Sequence, residues 1–136
     1  MSTAKTLFFT APGLVEVRPR PLPPLSAGQV LVETICSAIS PGTEMLVYRG
    51  QFPKELADSN DSLSANLSYP TPYGYACVGR VVKISKDMRH RWLDRLVFAF
   101  QPHTSHFIAK PDELLPLPEG MSPETACFLP NMETAV

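Results

Sequence analysis

The chain has 136 residues, enough for one domain with one ordinary core and too few for two. Twelve Lys and Arg against thirteen Asp and Glu leave a formal net charge of -1, which offers no electrostatic footprint for nucleic acid or for an anionic membrane surface. Fifteen prolines against seven glycines favour short strands, turns and brief helices, because proline removes a ladder donor and breaks helix interiors.

Residues 5 to 10 and 14 to 18 are short β-rich runs separated by Ala11-Pro12-Gly13, which predicts an opening hairpin. The next segment, 19 to 28, is crowded with prolines and reads as an extended crossing rather than an element. Residues 29 to 37 form the strongest strand, with Val30, Val32, Thr34 and Cys36 on one face and Leu31, Glu33, Ile35 and Ser37 on the other. Its start is apolar on both faces, which predicts a central place in the sheet.

Ser40 reads as an N-cap with Pro41 at the first helical position and Gly50 as the stop, giving a short helix over 41 to 49. The polar stretch 53 to 68 reads as a surface excursion with at most one helical turn. Strand character returns over 76 to 84, 94 to 100 and 105 to 110. An extended lead-in through Leu115-Pro116-Leu117-Pro118 precedes a helix capped by Ser122, with Pro123 at its first position, running through Ala126. Several short strands with frequent turns and only brief helices predict a mainly β fold, a small and partly open barrel.

Cys36, Cys77 and Cys127 are odd in number and contain no Cys-x-x-Cys pair, so neither a disulfide framework nor a structural zinc site is indicated. Reduced thiols in a cytoplasmic protein are the expectation. The apolar run near the N-terminus is too short for a secretory signal, and no stretch approaches the ~18 apolar residues of a membrane span. No membrane or nucleic-acid partner is therefore expected.

Six fragments stand in a telling order: Val30-Leu31-Val32-x-Thr34, Ser40-x-Gly42-Thr43-Glu44, Tyr73-Gly74-Tyr75, Gly79-Arg80-Val81-Val82, Asp94-Arg95-Leu96-Val97-Phe98 and Leu117-Pro118-Glu119-Gly120. Together they resemble the N-terminal catalytic domain of the medium-chain dehydrogenase/reductase superfamily, most closely its zinc-independent, bacteriochlorophyllide dehydrogenase-like members. The resemblance implies a GroES-like, partly open β-barrel. It sets Ser40 at the position of a ligand Cys and Gly74, Tyr75 and Ala76 at a Gly-His-Glu triplet. The Gly that usually precedes the Asp-Arg turn is Leu93 here.

A catalytic zinc needs three protein ligands at about 2.0 to 2.3 Å, and Ser40, Tyr75 and Ala76 do not supply them. No metal site is expected. Without a Lewis acid, a carbonyl under reduction needs hydrogen-bond donors where negative charge develops, and the candidate catalytic groups are the hydroxyls of Ser40, Thr43 and Tyr75. His103 is the candidate proton relay, because its ordinary pKa lies near working pH. The alternatives are structural: Ser40 as a cap, Tyr75 as a core aromatic, and His103 and His106 as surface or hydrogen-bonded rings pointing apart. Glu44 is expected to complement a helix start, Cys77 to be a small core residue, and Arg95 to pair with a carboxylate at its turn.

No Gly-x-Gly-x-x-Gly run occurs in the chain, so no cofactor is expected to bind it alone. The resemblance implies NAD(P) for a full-length oxidoreductase with a small-molecule substrate, and a nucleotide-binding domain missing from residues 1–136. It also implies exposed apolar surface near Phe128 and Leu129, which would favour self-association. The competing expectation is a non-catalytic GroES-like interaction module.

Overall fold

The computed structural model describes residues 2–52 and 68–135. Apart from Ser68, the polar excursion expected over 53 to 68 lies outside the described residues.

The described residues form two antiparallel sheets. The opening hairpin pairs β1 (Ser2–Ala11) with β2 (Leu14–Leu22), and the turn falls at Pro12 and Gly13 as expected. Strand β2 runs further than the prolines suggested, reaching Leu22 through Pro19 and Pro21. These prolines pair with Lys5 and Thr3 and sit two residues apart on an edge strand. Both missing N–H groups therefore point off the same outer edge, where no ladder bond is lost.

The second sheet has the order β6 (His106–Ala109), β3 (Val30–Ser37), β4 (Cys77–Ile84), β5 (Leu96–Ala99), β7 (Leu115–Pro116), so β3 holds the inner place its apolar start implied. Backbone bonds stitch the hairpin to this sheet's loops: Leu7 N donates to His103 O at 2.9 Å, Ser105 N to Lys5 O at 2.8 Å, and Phe9 N to Thr71 O at 2.8 Å. Among the described residues the result is mainly β, with no closed barrel and only brief helices: α1 (Thr43–Arg49), α2 (Pro123–Ala126) and α3 (Leu129–Ala135). None of the described helices is long and apolar enough to cross a membrane.

Side-chain alternation divides the interior. Val30, Val32, Cys77, Val81, Val97, Ala99 and Phe107 pack on one side, while Val78 and Phe98 meet Ala126 and Cys127 on the other. Cys77 is a fully buried core residue, as its neighbours implied. The expected β3 face does not persist to its end. The β3–β4 register shifts between Thr34 and Cys36, so Cys36 packs with the Val78 side instead of with Val32. A one-residue irregularity of this kind exchanges the two faces downstream, so Ser37 leaves the Ile35 side that strict alternation gave it.

The turn at Leu93 needs no glycine. Leu93 is extended (φ -62, ψ 137), Asp94 takes the left-handed position (φ 64), and Arg95 N closes the turn on Trp92 O at 3.2 Å. Among the described residues Arg95 meets no carboxylate, contrary to expectation; its guanidinium lies 6.0 Å from the Trp92 ring centroid. Ser122 caps α2 by accepting from Thr125 N at 3.2 Å, with Pro123 opening the helix.

Candidate functional site

The site forms where the end of β3, the start of α1, the lead into β4 and the loop before β6 converge. Each segment is held by backbone bonds: Ala38 N donates to Ala76 O at 2.9 Å, and the 103–105 loop is sewn to β1. Pro41 and Gly42 form a turn, so α1 opens later than expected, with Gly42 as N-cap and Thr43 as its first residue. Ser40 nonetheless serves the helix start, since its Oγ accepts from Thr43 N at 3.2 Å. Gly50 ends the helix in the left-handed conformation, as expected.

Glu44 is the centre of the cluster. Its side chain is 1% exposed, its Oε2 accepts from Ser40 N, and its Oε1 meets His103 Nε2. Complementing the helix start is thus the smaller part of its role. A buried carboxylate persists only with such partners, because desolvation without them is costly. The other ring nitrogen of His103, Nδ1, lies 2.6 Å from Ser37 Oγ. Gly74 permits this packing: at φ 152 a Cβ there would stand 3.1 Å from His103 Nε2 and 3.2 Å from Pro102 Cα.

Of the four candidates, His103 meets Glu44 through its ring and Ser40 through its backbone amide, and Thr43 donates its backbone N–H to Ser40 Oγ. Tyr75 follows Gly74, is half-buried, and packs against both the Val78 cluster and the Phe9, Val47 and Tyr73 cluster. Glu44 and Ser37 are the two site residues not assigned a site role from sequence. An acidic residue four positions after Ser40 was the available signal for Glu44, while nothing local signalled Ser37. His106 belongs elsewhere, with Nδ1 3.0 Å from Ser105 Oγ and Nε2 3.6 Å from Glu33 Oε2.

Behind Ser37, Cys36 Sγ lies 3.4 Å from Cys127 Sγ. Burial, followed by the bond to Cys36, pushes the Cys127 thiol up to about 12, and burial likewise raises Cys77. Among the described residues, no three His, Cys, Asp or Glu side chains gather as a metal-binding group.

The described residues make a mainly β domain with no closed barrel, the GroES-like fold that was expected. Solved structures share that fold. A candidate NADPH:quinone reductase of Bacillus thuringiensis superposes with a TM-score of 0.75 at 17% identity, covering 99% of this chain and 40% of that one. A mutant form of enoyl thioester reductase from Candida tropicalis gives 0.71 at 17% identity, covering 95% and 40%. A candidate zinc-binding dehydrogenase of Sinorhizobium meliloti 1021, bound to NADP, gives 0.64 at 16% identity, covering 94% and 42%. The chain thus spans about 40% of the length of these proteins. No protein-family model matches it, and no curated protein does.

Proposed function

We propose that this chain is the substrate-binding and catalytic half of a zinc-independent, NAD(P)-dependent oxidoreductase acting on a carbonyl, alcohol or enone, in a cytoplasmic setting. One observation carries the reading: His103 and the Ser40 amide meet at buried Glu44, with Ser40 Oγ accepting from Thr43 N beside them, in a domain that shares its fold with reductases and dehydrogenases. Zinc independence rests on donor chemistry. Ser40, Tyr75 and Ala76 offer two neutral hydroxyls and a methyl group where a zinc would need strong ligands.

The residues present do not fit a nicotinamide nucleotide. The chain has no glycine-rich βαβ turn, and its longest described helices have seven residues, so a pyrophosphate has no helix-borne cradle here. A nucleotide-binding domain is therefore the partner this reading requires. The work of this chain is then to hold the substrate oxygen against hydroxyl donors on Ser40, Thr43 and Tyr75, and to supply the proton through His103.

In an active protein containing this chain, Tyr75→Phe and Ser40→Ala should each lower turnover by ~10²-fold or more, measured with aldehydes, ketones and enones. Unchanged turnover in both variants removes these residues from the mechanism.

The exposed apolar side chains of β2, Leu14 (60%), Val15 (48%) and Val17 (60%), favour a second reading as a self-associating interaction module. Concentration-dependent oligomerisation without nicotinamide-dependent turnover would support that alternative. Coding sequence that continues past Val136 into a glycine-rich βαβ unit would support the first.

A further inference from the structure

Both ring nitrogens of His103 are engaged, and by chemically different partners. Nε2 faces Glu44, whose second oxygen accepts the Ser40 amide, and Nδ1 faces the Ser37 hydroxyl at 2.6 Å. One Glu44 oxygen already accepts the Ser40 amide. A carboxylate only accepts, so a neutral ring facing one carries its proton on Nε2 and keeps a bare lone pair at Nδ1. Ser37 then donates to that lone pair.

We propose that Glu44 is a positioning residue that keeps the His103 proton on Nε2, making Nδ1 and Ser37 the proton-exchanging end of the site. Ser37 rather than Ser40 is the serine in proton contact with the imidazole. Ser40 has a different task, since its oxygen accepts from Thr43 N and its amide serves Glu44. The order hydroxyl, imidazole, carboxylate follows the logic of a catalytic triad with the two ring nitrogens exchanged.

Proton transfer through this chain balances at each atom. When a donor passes a proton to Ser37 Oγ, Ser37 passes its own to Nδ1, the serine stays neutral, and the imidazolium charge is offset by Glu44. In the reverse direction Nδ1 returns a proton to Ser37, which releases its own to an acceptor. Among the described residues, Glu44 from α1 is the charged group bonded to the ring. Ser37 from β3, Gly74 and Pro102 are neutral, Lys5 on β1 is exposed, and Glu33 on β3 is taken up by His106 at 3.6 Å.

The inference rests on the oxidoreductase reading only for what receives the proton; the hydrogen-bond arrangement belongs to the chain itself. Its test is long-range 15N–1H correlation of the neutral His103 ring in this chain. Nε2 should be pyrrole-like and Nδ1 pyridine-like. S37A should keep the Nε2 proton but shift the neutral-form Nδ1 resonance. E44Q should mix the tautomers, because an amide can donate as well as accept.

A neutral ring protonated on Nδ1 overturns the proposal, as does an Nδ1 resonance unmoved by S37A. A folded E44Q with the wild-type tautomer overturns it too. If E44Q fails to fold, the wild-type and S37A spectra decide by themselves. In an active protein, S37A should lower kcat by ~10-fold or more and flatten its pH profile with KM held. The expected spectra in a protein without nicotinamide-dependent turnover would uphold the tautomer assignment and refute the oxidoreductase reading alone.

Discussion

Glu44 and His103 stand 59 residues apart in sequence and meet through Oε1 and Nε2, with the Glu44 side chain 1% exposed. The contact joins the first turn of α1 to the loop that β1 holds in place, so it ties the helix to the sheet as well as forming the site. Removing the carboxylate strands a ring nitrogen and the Ser40 amide together. Glu44→Ala should therefore lower unfolding free energy by about 3 kcal/mol, read from urea denaturation. A loss well under about 1 kcal/mol would show that the pair gives the fold no support.

Gly79 lies against the backbone of β3. A Cβ there would stand 2.5 Å from Val32 Cγ1 and 2.6 Å from the Glu33 carbonyl oxygen. A side chain could rotate aside, but a strand carbonyl in a ladder cannot do so cheaply. Gly79→Ala should cost about 1 to 3 kcal/mol, with the urea midpoint falling and the slope unchanged. A wild-type midpoint would mean that β3 yields without penalty.

Asp87 accepts from Ser85 Oγ at 2.6 Å and Gly28 N at 3.1 Å, and these bonds hold its carboxyl below the ordinary value of 3.8. With the folded value depressed, the contribution to stability is present above 3.8 and is lost as pH falls through the lower folded value. The stability difference between the wild type and Asp87→Asn should therefore shrink between about pH 6 and about pH 3. A difference constant across that range would show that the bonds favour neither protonation state.

Cys127 carries a thiol raised from 9.0 to about 12, first by burial and then by its bond to Cys36. The thiolate is the reactive form, so iodoacetamide at about pH 8 should modify Cys127 at least ~10²-fold more slowly in the native chain than in urea. The raised folded value also contributes stability below 9.0 that disappears as pH rises toward 12. Native labelling as fast as in urea would contradict this placement of the thiol.

Much of the fold was legible because it is written in local chemistry. Pro12-Gly13 turns the hairpin, the apolar start of β3 marks an inner strand, and Ser122-Pro123 opens a helix. The site was only partly legible. Ser40, Thr43 and His103 were visible as residues able to donate or relay; in the fold His103 and the Ser40 amide meet Glu44, while Thr43 gives its backbone N–H to Ser40 Oγ. Glu44, read as serving its own helix start, instead reaches a histidine on a distant loop. Ser37 was hidden by strict alternation, which put it on the Ile35 face, until the register shift after Thr34 changed the side it serves.

The amino-acid order by itself determined most of the strands and the turns between them. Only the tertiary structure decided which groups touch: the Glu44, His103 and Ser37 chain depends on pairing across sheets, on a one-residue irregularity in β3 and on the space left by Gly74. The physical reason is range. Propensity and periodicity act over a few neighbouring residues, whereas a buried carboxylate finds its partner wherever the folded chain brings a donor within hydrogen-bonding distance.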